Sequence, residues 1–125
     1  MLLEDFYTIQ EIDPSDKENI KVSIELNKDH EIYKGHFPGN PVVPGVCLTQ
    51  LIKEMVENIE AREVRLVYAS NIKFMAVVNP EINNFLQIDL KIKHDDDEQN
   101  IIKVDSVTYY KDKIFYKFKG NFKAE

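Results

Sequence analysis

The residues best suited to chemistry sit in one run, Gly35-His36-Phe37-Pro38-Gly39-Asn40-Pro41-Val42-Val43-Pro44-Gly45-Val46, and just after it. The imidazole of His36 titrates near neutral pH and suits proton transfer; hydrogen-bonded within a loop, it would equally serve as a structural histidine. Pro44-Gly45 punctuates the entry to a helix. A helix N-terminus offers unpaired amides and a favourable dipole, here on Gly45 and Val46, and glycine lets a ligand approach closely. Gln50 carries an amide, which cannot ionise. Glu54 lies one turn further on the same face, about 5–6 Å away between Cβ atoms. Cys47 is near the helix start, where a thiol pKa can fall, but a small buried packing role is the commoner one and no cysteine nucleophile is expected. His30 and His94 match no motif and read as solvated. Three widely spaced histidines and one cysteine make no metal-ligand cluster.

These residues need elements to hold them. Residues 3–12 read as a first strand anchored by Phe6, Ile9 and Ile12, and Asp13-Pro14-Ser15-Asp16 as a turn. Ile20, Val22, Ile24 and Leu26 alternate with Lys21, Ser23 and Glu25, the period of a strand with one wet face. Residues 30–45 hold three of the four glycines and three of the five prolines, a density that predicts a rigid loop with no helix. A helix follows, with Leu48, Leu51, Ile52, Met55 and Ile59 on one stripe and Gln50, Glu54 and Glu57 opposite it. Residues 63–75 carry apolar groups in both phases, as in a strand covered on both faces. Residues 85–93 alternate cleanly, Asp95-Asp96-Asp97-Glu98 is a solvated turn, and residues 100–110 and 113–123 form a last hairpin. In that hairpin Ile114, Tyr116, Phe118 and Phe122 share one phase and lysines the other. One apolar helical stripe against one antiparallel sheet is an α+β arrangement.

At 125 residues the chain suits one domain, residues 1–125. The net charge of −6 disfavours a phosphate-backbone partner, so no nucleic acid is expected. No apolar stretch approaches the roughly 20 residues of a membrane span, and the N-terminus shows no signal-peptide pattern. A lone cysteine fits the cytoplasm.

The pattern His-Phe-Pro-Gly-x-Pro-x-x-Pro-Gly-Val over residues 36–46, opening directly onto a helix, resembles the active-site loop of the hotdog-fold 3-hydroxyacyl-acyl carrier protein dehydratases of fatty-acid synthesis. Lys73-Phe74 and Val77-Val78-Asn79-Pro80 fall where that family has its post-helix strand and following turn. The resemblance implies a hotdog fold, an antiparallel sheet of about six strands wrapped around one long helix. It implies a dehydratase in which His36 takes the C2 proton and the amides around Gly45 and Val46 hold the thioester oxygen. Phe37, Pro38 and Gly39 would face the substrate. The acyl group would arrive on the phosphopantetheine of an acyl carrier protein or on coenzyme A, with no metal or redox cofactor. It further implies a cis His36-Phe37 peptide bond and a homodimer whose sites combine the loop of one subunit with the helix of the other. Antiparallel pairing of residues 63–75 would build that dimer.

The sequence departs from the family at Gln50, where those dehydratases place Glu or Asp. Losing a general acid costs roughly 10² to 10⁴ in rate. Glu54 would replace it directly or through water; otherwise Glu54 and Glu57 form a plain solvated face. Gln50→Glu, away from the core stripe, is expected to cost little stability. Three readings stay open: a dehydratase, a degenerate acyl-thioester-binding subunit forming a heterodimer with an active paralogue, or a thioesterase on the same fold. An acidic carrier protein would need a positive patch, for which Arg62, Arg65 and Lys73, or the C-terminal lysines, are candidates.

Overall fold

The computed structural model describes residues 4–35, 39–98 and 100–125. Along the chain run β1 (Tyr7–Pro14), β2 (Asn19–Leu26), a single helical turn α1 (Ile32–Gly35), the long helix α2 (Gly45–Glu60), β3 (Val64–Phe74), β4 (Phe85–His94), β5 (Ile101–Tyr110) and β6 (Lys113–Ala124). All six strands join one antiparallel sheet in the order β1-β2-β4-β5-β6-β3. The period-two pattern decides the faces: Ile20, Val22, Ile24 and Leu26 of β2 and Leu86, Ile88, Leu90 and Ile92 of β4 are buried, their polar neighbours turned out. Helix α2 lays Leu48, Leu51, Ile52, Met55 and Val56 into the same core, where Phe115, Tyr116, Phe118 and Phe122 of β6 are fully buried. Each such burial stabilises by about 1.5–3 kcal/mol, and together they seat the helix on the sheet. The helix ends at Ala61, in the left-handed region (φ 57).

Several expectations need correction. The Gly/Pro-rich stretch does begin with a helical turn, because Ile32, Tyr33 and Lys34 precede its first glycine, Gly35, on which the turn ends, and its first proline is residue 38. The turn buries Tyr33 against Phe6, ring centroids 6.0 Å apart. β1 starts later and runs through Pro14; Phe6 is buried ahead of it, while Ile12 is exposed. β3 is not covered on both faces. It is an edge strand, paired among the described residues to β6 alone, and Val64 is its sole buried residue. In β6 the register shifts between Thr108 and Tyr109 of its partner, so Phe115 and Tyr116 are both buried and Ile114 is left exposed.

Candidate active site

The approach to α2 is fixed from two sides. Val43 N–H donates to the Val78 carbonyl at 2.9 Å, tying the loop to the turn after β3. Gly39 holds φ 85, a conformation that favours glycine. Pro44 caps the helix with extended dihedrals (φ −60, ψ 143) and no side-chain bond. The amides of Cys47 and Leu48 donate to the Pro44 carbonyl at 2.9 and 3.3 Å. Those of Gly45 and Val46 therefore precede the helical ladder. Gly45 also packs closely: a Cβ there would stand 2.8 Å from Cε1 and Cζ of Phe74, an exposed ring that would have to shift. Val46 is exposed.

His30 anchors the other end of the loop and is not the solvated residue expected. Its Nδ1 accepts from Ile32 N–H at 3.0 Å, so the proton sits on Nε2, which donates to the Glu4 carbonyl at 2.9 Å. Phe6 packs edge-on against the ring at 5.3 Å. His94 is exposed, with Nε2 donating to Glu60 Oε1 at 2.7 Å. His36, Phe37 and Pro38, and with them the expected cis peptide bond, lie outside the described residues.

The structure joins Gln50 and Glu54. Gln50 Nε2 donates to Glu54 Oε2 at 3.0 Å, and Tyr7 Oη, reaching in from β1, donates to Glu54 Oε1 at 2.8 Å. Glu54 is only 1% exposed, which overturns its reading as part of a solvated face. The reason is that Tyr7 and the sheet close over the flank that the apolar stripe alone leaves open. Glu57 is half-buried and accepts from Val64 N–H at 3.0 Å, stitching α2 to β3. Burial, then the hydrogen bond and charge of Glu54, push the Tyr7 hydroxyl well above the usual tyrosine range. Burial raises the Cys47 thiol too, with Glu54 adding to it, so Cys47 is a packing residue and no thiolate nucleophile. Thr49 and Tyr116 share a partly buried hydrogen bond of 2.6 Å under the same helix.

Gln50 and Glu54 stand on the wall of an open groove of about 660 Å³ between α2 and the start of β3. Its cations are each matched: Lys53 to Glu57 at 3.8 Å, Arg62 to Glu60 at 3.4 Å and Arg65 to Glu125 at 3.9 Å. Arg62 and Arg65 thus lose most of their value as a positive patch, whereas Lys73 on β3 faces Lys117 across the strand pair. Among the described residues no three His, Cys, Asp or Glu side chains gather to hold a metal, and no helix is long and apolar enough to cross a membrane. Tyr7, Thr49 and Tyr116 carried no local sequence signal, because each partner lies 47 or 67 residues away.

A six-stranded antiparallel sheet around one long helix, with a Gly/Pro loop opening onto that helix, defines a hotdog-fold protein of the dehydratase type. The ApeI-like family (ApeI dehydratase) matches residues 11–113, and the chain belongs to it. The 3-hydroxyacyl-[acyl-carrier-protein] dehydratase FabZ of Fusobacterium nucleatum is 28% identical over 116 residues, 87% of this chain and 79% of that protein. FabZ of Ligilactobacillus salivarius is 39% identical over 54 residues, 43% of this chain and 36% of that one. Among solved structures, the dehydratase heterocomplex ApeI:P of Xenorhabdus doucetiae superposes with a TM-score of 0.67 at 16% identity, covering 93% and 96% of the two chains. A hypothetical thioesterase from Streptococcus pneumoniae with coenzyme A gives 0.64 at 11%, covering 95% and 85%.

Proposed function

We propose that the chain is an acyl-thioester protein of the 3-hydroxyacyl dehydratase type that binds its substrate well and dehydrates it weakly when alone. The observation that carries this reading is the residue at position 50: an amide, bonded to a buried carboxylate, stands where the resemblance puts an acid. Dehydration removes a proton from C2 and breaks the C3–O bond, releasing water and leaving a 2,3 double bond. His36 is proposed as the base, and the Gly45 and Val46 amides as the donors that hold the thioester oxygen as charge builds there. Both are independent of an acid at position 50. Protonation of the departing hydroxyl is the step Gln50 cannot perform. Glu54 already accepts two hydrogen bonds and is proposed not as the acid but as the support of Gln50. The chemistry calls for no metal or redox cofactor; the acyl group comes on phosphopantetheine or coenzyme A.

The same reading takes the chain as a cytoplasmic dimer that completes each site across β3. Supporting it, that open edge exposes Leu66, Val67, Tyr68, Ile72 and Phe74. Lys73 and Lys117 are the proposed contact for an acidic carrier protein. The dimer is taken as a homodimer; a heterodimer with an active paralogue that supplies the acid missing at Gln50 is the alternative, in keeping with the heterocomplex of the Xenorhabdus dehydratase. The deciding assay follows enoyl formation from a 3-hydroxyacyl coenzyme A thioester. Binding with little or no turnover is expected; robust turnover, lost in Glu54→Gln, would make Glu54 the acid and refute the assignment.

A further inference from the structure

We propose that Glu54 and Tyr7 are positioning residues that lock the Gln50 amide with its carbonyl oxygen turned toward the bound acyl group, so that position 50 recognises a substrate hydroxyl. This rests on the thioester reading of the site. A side-chain amide has a donor end and an acceptor end and is free to present either. Glu54 removes that freedom. A carboxylate only accepts, so the end of Gln50 facing it must be Nε2, and the distance is 3.0 Å. An oxygen in that place would set two acceptors against each other. Oε1 therefore points away from Glu54.

Glu54 is itself held. Tyr7 Oη occupies Oε1 at 2.8 Å from the far side, which turns Oε2 to Gln50. At 1% exposure the carboxylate is cut off from the competing water that would let an exposed pair dissolve. A buried carboxyl is costly unless its hydrogen bonds are made. Among the described residues, donors from β1 and α2 are directed at it, and one belongs to the residue that lines the groove.

The consequence is chemical selectivity. A 3-hydroxyacyl thioester brings an O–H donor to the site; the enoyl thioester formed from it has lost that hydroxyl. An outward Oε1 accepts from the first and has nothing to accept from the second. The site should thus hold the hydroxylated form in preference to the dehydrated one, the behaviour of a binding subunit and not of a rapid lyase. Tyr7 contributes through Glu54, without reaching the ligand.

The test is isothermal titration of the full chain with a 3-hydroxyacyl coenzyme A thioester and the 2-enoyl thioester of equal length. The wild type should prefer the hydroxyacyl ligand by roughly 3- to 10-fold, the worth of one hydrogen bond. In Glu54→Gln the amide at position 50 regains both orientations, and the preference should fall toward unity. Tyr7→Phe, which deletes one oxygen and keeps the ring, should lower the preference part-way. Equal affinities in the wild type, or a preference that survives both substitutions, would overturn the proposal and leave the site reading intact. Binding of neither thioester would overturn the site reading and this inference with it.

Discussion

The main chain of Tyr68 on β3 lies against Gly120 on β6 so closely that a Cβ on Gly120 would run into the Tyr68 carbonyl oxygen. That Cβ would also stand 2.9 Å from Phe118 Cζ and 3.1 Å from Ala69 Cα. The pairing register shifts on both sides, between Leu66 and Tyr68 and between Ala69 and Asn71. Backbone cannot swing aside as a long side chain does. Gly120→Ala should therefore cost about 2–3 kcal/mol, read from the urea midpoint at constant slope. Gly35→Ala, whose Cβ would meet no atom within 4 Å among the described residues, is the control and should move it little.

The open β3 edge should pair. Sedimentation at micromolar concentration is expected to show twice the chain mass. Tyr68→Lys, at a residue 60% exposed in the single chain, should shift the species toward monomer with little loss of chain stability. A wild-type monomer at that concentration removes the shared-site scheme.

Gln50→Glu should not be the quiet substitution that the helix pattern implies. It exchanges a donor to Glu54 for a second carboxyl. Two close carboxyls share a proton, so the introduced group's folded-state pKa rises above its unfolded value near 4.3. Glu57 adds negative charge nearby, while Lys53 is engaged with Glu57. A raised carboxyl pKa leaves stability intact below about pH 4 and removes it as pH climbs through the folded-state value. Urea unfolding at pH 4 and pH 8 should show a penalty only at the higher pH. The retained proton also supplies an acid, and enoyl formation should rise by roughly 10-fold or more.

At alkaline pH the fold should weaken. Burial raises Cys47 above its usual 9.0 and Tyr7, Tyr33 and Tyr116 above their usual 10.0. In each case the folded state keeps its proton longer than the unfolded chain. The stabilising contribution is complete below those usual values and is lost as pH rises through the folded-state ones. The melting temperature should accordingly fall from about pH 9 upward. Labelling of Cys47 at neutral pH should be slow and keep pace with unfolding.

β2, β4 and the apolar stripe of α2 were legible because their polar and apolar residues follow one period without interruption. The burial of Glu54 was not. A helical wheel assumes one packed side, and Tyr7, 47 residues earlier, packs a second. The inward pair Phe115-Tyr116 was hidden by a register shift that breaks strict alternation. At the site, the spacing of Gln50 and Glu54 already implied contact, but neither its direction nor its Tyr7 support follows from spacing. Apolar residues in both phases of β3 correctly marked a strand; they did not show that its faces stay exposed, with Val64 alone buried.

The far edge of the sheet sets how large an assembly this chain can make. β1 turns Thr8, Gln10, Glu11 and Asp13 to solvent, is interrupted by a register shift between Ile9 and Glu11, and finishes on Pro14, which has no N–H to offer. A pair joined through β3 shows only these two guarded borders to the outside. With the proposed β3 pairing the sheet would be a tile with one mating side, able to double but not to string into a fibre.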